Sequence, residues 1–338
     1  MLRGPIPSTE GKMTDRVFLV TGAMGCIGSW VLRHLVEEGL TTVATDSVAD
    51  MMRPRLLLGA DHLDRLAFSR ADITDAAELM GVISEHNPTH LIHLAGLMVP
   101  YCKQTPAMGA RVNIEGTINV LEAARFPGSR VKSTVYASSV AVFGPDEDGA
   151  GLVVDTARQR PLTLYGAFKQ ADEVIASIYW QDWRVASVGL RPYVVYGVGR
   201  DRGVTADLTK ALLAAAAGMP YKIRFGGTVA LQYASDVAQT FIACAKKEAE
   251  GALVCNLRND VVEVDDFIAA IHGEVPHAKI TYDKESPLPF PAELDDTGLR
   301  SLLGRVPHTP LLMGVRETIG SFESLLAKGL IDLHQLDE

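Results

Sequence analysis

The stretch Val17-Phe18-Leu19-Val20-Thr21-Gly22-Ala23-Met24-Gly25-Cys26-Ile27-Gly28 constrains this chain more than any other. A short apolar strand runs into a turn with a glycine at every third position, and a helical segment, Ser29 to Glu38, follows. Each glycine answers a separate steric demand. Gly22 permits the tight turn, Gly25 lets the backbone approach a pyrophosphate, and Gly28 lets helix and strand pack closely. The helix then aims its positive N-terminal end at the phosphates. Strand, glycine turn and helix in that order form a dinucleotide grip.

Beyond the turn, strand and helix alternate. Strands are expected at Val17–Thr21, Thr41–Asp46, Leu66–Ser69, His90–Leu94, Ser133–Ser138 and Val185–Leu190, with helices at Ala76–His86, Ala107–Arg125 and Tyr165–Trp180. Alternation with short connections specifies an α/β fold, a Rossmann-type doubly wound parallel sheet. Past Gly197 the rhythm changes to a helix at Thr205–Ala217, then Pro220, mixed short strands and a polar, proline-bearing stretch. The expected organisation is a disordered tail over 1–14 and a dinucleotide-binding domain over 15–197. The remainder, 198–338, is expected to form mainly a smaller substrate-binding lobe over the carboxyl ends of the strands, with some segments returning to the core sheet.

Composition narrows the partners. A net charge of −9 argues against nucleic acid or an anionic membrane, which select basic surfaces. Cys26, Cys102, Cys244 and Cys255 show neither metal-ligand spacing nor a disulfide framework, so no metal is expected and a reducing cytoplasm is the expected compartment. Met1–Asp15 carries no apolar signal core, and Met13 is an alternative start. No apolar run is long enough to span a membrane.

Two further features carry chemistry. Asp46 closes the second strand, where a carboxylate accepts hydrogen bonds from the adenosine ribose and repels a 2′-phosphate. Its neighbours Ser47 and Val48, and Met24 in the turn, bring no cation, so NAD is expected rather than NADP. Asp72, after the third strand, suits either the adenine amino group or the N-cap of the next helix. Tyr165-Gly166-Ala167-Phe168-Lys169 sets a phenol and an ammonium one helical turn apart on one face. A phenol is a poor base at neutral pH, and a nearby ammonium with a positive nicotinamide ring stabilises the phenolate. Ser138-Ser139 ends the fifth strand, where a hydroxyl can hold a substrate carbinol or carbonyl.

With these pieces together, the chain resembles an extended short-chain dehydrogenase/reductase of the NAD-dependent epimerase/dehydratase family. The matching motifs are Thr21-Gly22-x-x-Gly25-x-Ile27-Gly28, Asp72-Ile73, His93-Leu94-Ala95-Gly96, Ser138 to Gly144, Tyr165-x-x-x-Lys169, and Leu190 to Gly197. The resemblance implies that Ser139 is the catalytic serine, Tyr165 the acid/base, and Lys169 the residue that orients the nicotinamide ribose and tunes Tyr165. It places Cys26, Ile27, Ile73, Leu94, Ala95, Gly96 and Pro192 along the cofactor. Met98 and Tyr193 fall against the substrate with Ser139 and Tyr165, and Asn113 supports the cofactor or a bound water. It also implies a homodimer, formed by pairing helices Ala107–Arg125 and Tyr165–Trp180 with their copies.

Departures from the family pattern bear on the substrate. Members acting on nucleotide sugars usually carry an asparagine where this chain has Val194, and a diphosphate-gripping arginine where it has Val229. Losing a bidentate phosphate contact removes much of a diphosphate's hold. Arg191 and Arg224 are the candidates to compensate, and Arg200, Arg202, Lys210 and Lys222 lie nearby in sequence. The expected activity is NAD-dependent interconversion of a secondary alcohol and ketone on a small polyhydroxylated or acidic substrate. The alternatives are a nucleotide-sugar 4-epimerase or dehydratase with tightly held NAD, and a non-catalytic dinucleotide sensor.

Overall fold

The protein is described by a computed structural model over residues 16–145 and 151–336. The tail expected over 1–14 lies outside the described residues. The central sheet is built from β1 (Val17–Thr21), β2 (Thr41–Asp46), β3 (Ala67–Arg70), β4 (His90–His93), β5 (Ser133–Ala137) and β6 (Ser187–Arg191). After β7 (Val194–Tyr196), β8 (Tyr221–Ile223) and β9 (Thr228–Tyr233), the chain returns as β10 (Ala252–Asn256). The order is β10-β6-β5-β4-β1-β2-β3, and every pairing is parallel. The architecture is the α/β, doubly wound parallel sheet that the alternation specifies. β4 and β6 are buried at every residue, because helices cover both faces and leave no solvated side.

Helices α1 (Cys26–Glu37), α2 (Met52–Leu58), α3 (Ala60–Leu63), α4 (Ala76–His86), α5 (Val99–Gln104), α6 (Pro106–Ala110), α7 (Gly116–Arg125), α8 (Leu164–Trp183), α9 (Asp207–Ala216) and α10 (Ala234–Lys247) follow in chain order. One face of the sheet carries α1 with α10, and the other α4, α7 and α8. Local chemistry fixes the ends. Asp75 caps α4 by accepting the Ala77 and Glu78 N–H groups, and Asn87 closes it in the left-handed region at φ 47°. Thr163 caps α8 by accepting Gly166 N–H, and Arg184 ends it at φ 57°.

The helix expected over Ala107–Arg125 is not continuous. A π turn, Arg111–Glu115, separates α6 from α7. Asn113 sits in that turn and gives its amide to the Gly109 carbonyl at 3.0 Å, so a side chain competes with the regular ladder there. Outside the central sheet, β7, β9 and β11 (Asp260–Glu263) form one small sheet and β8 and β12 (Ile280–Tyr282) another. Helices α11 (Val264–Glu274) and α13 (Leu311–Ala327) pack with α9 against these small sheets, whereas α12 (Thr297–Leu303) packs on α10 and β10. Among the described residues, no helix is long and apolar enough to cross a membrane, and no His, Cys, Asp or Glu cluster could hold a metal.

Candidate active site

Most residues singled out by the motifs sit at or just beyond the carboxyl end of a parallel strand. Gly22 follows β1, Asp46 closes β2, Asp72 follows β3, Leu94 to Met98 follow β4, Ser139 follows β5, and Pro192 and Tyr193 follow β6. The crevice outside those ends is where open α/β sheets hold ligands.

The glycines of the turn divide their roles. Gly22 lies at φ +66°, and a Cβ there would stand 2.4 Å from the Ala95 nitrogen; at Gly28 it would stand 2.3 Å from the Gly22 carbonyl oxygen. Both are packing glycines that press the turn onto the β4 exit and α1 onto the turn. At Gly25 a Cβ would meet, among the described residues, only the Gly22 oxygen, at 3.1 Å. Its side is otherwise open, which is the clearance a diphosphate requires. The first turn of α1 has no acidic residue and no side-chain cap, leaving its N–H groups and positive pole to an anion. Cys26, the first residue of α1, is a neutral thiol pushed up to about 11 by burial.

Asp46 accepts the Met24 N–H at 3.0 Å. Burial raises its carboxyl, and backbone N–H groups of Met24, Val48 and Ser47 oppose that rise. Arg53, invisible to the motif reading, grips Asp201 with Nε at 3.0 Å and Nη2 at 2.8 Å. It also donates to the Gly199 and Met24 carbonyls, each at 3.1 Å, tying the glycine turn to the segment after β7. Asp72 does not cap α4, since Asp75 does; its Oδ1 accepts Thr74 N–H at 2.9 Å. Ile73 is buried, and its carbonyl accepts from Asn119 Nδ2 at 2.8 Å. These groups fit a dinucleotide: open clearance at Gly25, an uncapped helix end, and a carboxylate at the ribose position.

The second cluster forms where α8 meets the segment after β5. A Cβ at Gly166 would meet the Ala141 carbonyl oxygen at 2.1 Å, so α8 rides directly on the turn that Ser139 begins. That contact brings the first turn of α8, with half-buried Tyr165, to the Ser139 segment. Ser139 Oγ accepts Ala141 N–H at 3.1 Å and stays partly exposed, whereas Ser138 is buried and donates to Glu173. Lys169 is 4% exposed, and its Nζ donates to Asp172 Oδ2 at 3.1 Å. A Cβ on Gly96 would stand 3.7 Å from that Nζ and 2.8 Å from Asn113 Oδ1, so only glycine leaves the space above them clear.

Four of the residues singled out are held by protein partners. Asn113, expected to support the cofactor or a bound water, is fully buried. It donates to the Leu97 carbonyl and accepts Leu97 N–H, both at 3.2 Å, so it braces the loop after β4 from beneath. Tyr193, expected against the substrate, is 8% exposed and gives its hydroxyl to the Phe290 carbonyl at 3.2 Å; burial raises this phenol. Arg191, expected as a spare phosphate donor, is 2% exposed and holds Glu173 with Nε at 2.8 Å and Nη2 at 2.7 Å. Arg224 is likewise engaged, on the buried Asp207. Met98 remains half-buried, with Arg200 Nη1 3.4 Å from its sulfur. Pro192, also half-buried, gives its carbonyl to Val140 N–H at 3.1 Å.

Comparison with known proteins decides the family. The profile of the NAD dependent epimerase/dehydratase family matches residues 18–257. The chain belongs to that family. A UDP-glucose 4-epimerase from Mycolicibacterium smegmatis is 30% identical to this family member over 90% of the chain and 98% of its own length. Two solved structures are similar at 25% identity. A partial-consensus L-threonine 3-dehydrogenase has a TM-score of 0.79 and is covered over 99% of its length by 91% of this chain. The UDP-glucose 4-epimerase of Thermus thermophilus, solved with NAD, has a TM-score of 0.75 and is covered over 98% of its length by 90% of this chain.

Proposed function

We propose that this member of the family oxidises a secondary alcohol, or reduces the matching ketone, with NAD, on a small polyhydroxylated or acidic substrate that carries no nucleotide. The observation that carries this reading is the state of the two positions at which relatives acting on nucleotide sugars grip a diphosphate. Val194 and Val229 are apolar and 0% exposed, and the arginines nearest in sequence are committed to Glu173 and Asp207. A diphosphate desolvated there would leave charged oxygens unpaired, which costs more than a merely missing contact.

In this reading Ser139 holds the substrate oxygen and Tyr165 Oη takes the hydroxyl proton, or returns it in the reducing direction. The Lys169 ammonium, one turn along α8, offsets charge developing on that phenol. Gly22, Gly25 and Gly28, with the first turn of α1, would hold the cofactor diphosphate, and Asp46 its adenosine ribose. NAD, when bound, supplies the hydride acceptor. The likeness to an L-threonine 3-dehydrogenase supports a substrate without a nucleotide.

A second reading, 4-epimerisation of a nucleotide sugar, draws support from the M. smegmatis relative. Two measurements separate them. Reduced nicotinamide should accumulate in the steady state with one of a panel of free sugars, sugar acids, polyols and aryl alcohols. Calorimetry with UDP in the presence of NAD should show no binding at concentrations that saturate nucleotide-sugar enzymes. Micromolar UDP binding without steady-state reduced nicotinamide would put epimerisation first.

A further inference from the structure

Beneath the proposed proton-transfer group lies a buried charge that the scheme above does not use. Asp172 sits one turn beyond Lys169 on α8 and is 0% exposed, and Lys169 itself is 4% exposed. Their contact, Nζ to Oδ2 at 3.1 Å, is enclosed by protein on both sides. The second carboxylate oxygen, Oδ1, has no hydrogen-bond partner among the described residues. Thr117 of α7 lies beside the carboxylate, but its one proton goes to the Asn113 carbonyl at 2.6 Å. That leaves the Thr117 oxygen to accept from His93 Nε2 at 3.2 Å, while His93 Nδ1 meets the Thr21 hydroxyl at 2.7 Å.

The surrounding groups show what the carboxylate does. Facing Lys169 are Tyr165 and Asp172 on its own helix, Cys102 of α5, His93 at the end of β4, and the polar edge of Asn113. Facing Asp172 are Lys169, Glu173, Thr117 and the buried phenol of Tyr136 on β5. Glu173 is neutralised by Arg191, and Tyr136 is kept protonated by burial. His93 is uncharged, pushed down to about 3 by burial and by the Lys169 charge. Asp172 is thus the carboxylate in direct contact with the buried ammonium. Burial alone disfavours the Lys169 ammonium; Asp172 first and then Tyr165 outweigh that, and the ammonium ends above the ordinary lysine range. Burial raises Asp172 to about 6, with Lys169 opposing, so the pair is ionised above that pH.

We propose that Asp172 is a positioning residue that pins the Lys169 ammonium beneath the Tyr165 face and preserves its charge in a site closed to water. The inference rests on Lys169 serving the proposed oxidoreductase site. Replacing Asp172 removes the charge that opposes desolvation, so Lys169 loses its proton at lower pH, and with it the ammonium available to a bound dinucleotide and to Tyr165.

The test is the alkaline side of the pH profile. Asp172→Asn should move the alkaline fall of kcat/KM down by about one pH unit or more. Calorimetric NAD affinity should fall over the same range, while Asp172→Glu restores both. A variant uniformly slower at every pH, with the limb unmoved and NAD affinity unchanged, would overturn the proposal and leave Asp172 a packing residue. If Asp172→Asn does not fold, carbon-13 titration of lysines in the wild-type protein carries the test. One resonance, absent in Lys169→Met, should stay charged beyond the ordinary lysine range, and its titration within that range would refute the idea. Lys169→Met separates the two readings. If it leaves turnover and NAD affinity intact, the site assignment itself fails; if it abolishes them while Asp172→Asn leaves the limb in place, only this inference fails.

Discussion

Removal of the Glu173 carboxylate should be among the most damaging single changes available to this protein. Arg191 reaches Glu173 in a bidentate fork at 2.8 and 2.7 Å, with the two side chains 2% and 6% exposed. Ser138 Oγ and Gln159 Nε2 donate to the same carboxylate. Glu173→Ala therefore strands a buried guanidinium. Its remaining partners are the Asp155 carbonyl at 2.9 Å, Asn256 Oδ1 at 3.1 Å and the Phe143 ring at 4.8 Å. Breaking a buried pair from one side costs about 3–5 kcal/mol, against a total stability of about 5–15 kcal/mol for a typical domain. Urea unfolding at neutral pH should show that loss as a lower midpoint at unchanged slope. The double variant Glu173→Leu/Arg191→Met should recover most of it, because no charge is left unpaired. A loss below about 1 kcal/mol for Glu173→Ala would mean the pair behaves like a solvated one, and the packing account of the β6 end would be wrong.

Two further outcomes follow from the same structure. NAD should raise the melting temperature more than NADP at equal concentration, because Asp46 opposes a 2′-phosphate and nearby Arg53 is held by Asp201. Equal shifts would contradict that, and Asp46→Ala should narrow the gap. Light scattering should give a mass near twice the 36.4 kDa chain. Val174 and Ile178 stand one turn apart on α8, 54% and 43% exposed, with Tyr101 and Met108 exposed on α5 and α6, which pack against it. A monomeric mass, or an unchanged mass for Val174→Glu, would remove the helix-pairing interface.

Much of the sheet was legible because β1, β2, β4 and β5 are short and largely buried, so apolar runs bounded by polar turns mark them closely. The π turn at Arg111–Glu115 was not, because the apolar period runs through it and only the bond from Asn113 to Gly109 breaks it. Past Gly197, α10 and β10 were missed as elements, since each is defined by a partner more than fifty residues away: α1 for the helix and β6 for the strand. Around the site, the motifs located glycines, serines, the tyrosine and the lysine, whose roles depend on local spacing. They did not locate the long-range pairings. Arg53 meets Asp201 across the chain, Arg191 is sequestered by Glu173, and Asp172 after Lys169 reads in sequence like any surface ion pair on a helix. Burial separates these cases, and burial is a property of the assembled fold.

In the proposed reaction Tyr165 moves the proton of a substrate alcohol and NAD would take the hydride. The most direct measurement is steady-state formation of reduced nicotinamide by wild type and Tyr165→Phe, using the best alcohol of the panel, with NAD affinity determined calorimetrically on both. The account predicts accumulation by the wild type and a loss of about two orders of magnitude or more in Tyr165→Phe, with NAD affinity nearly unchanged. Near-normal turnover by Tyr165→Phe would contradict it.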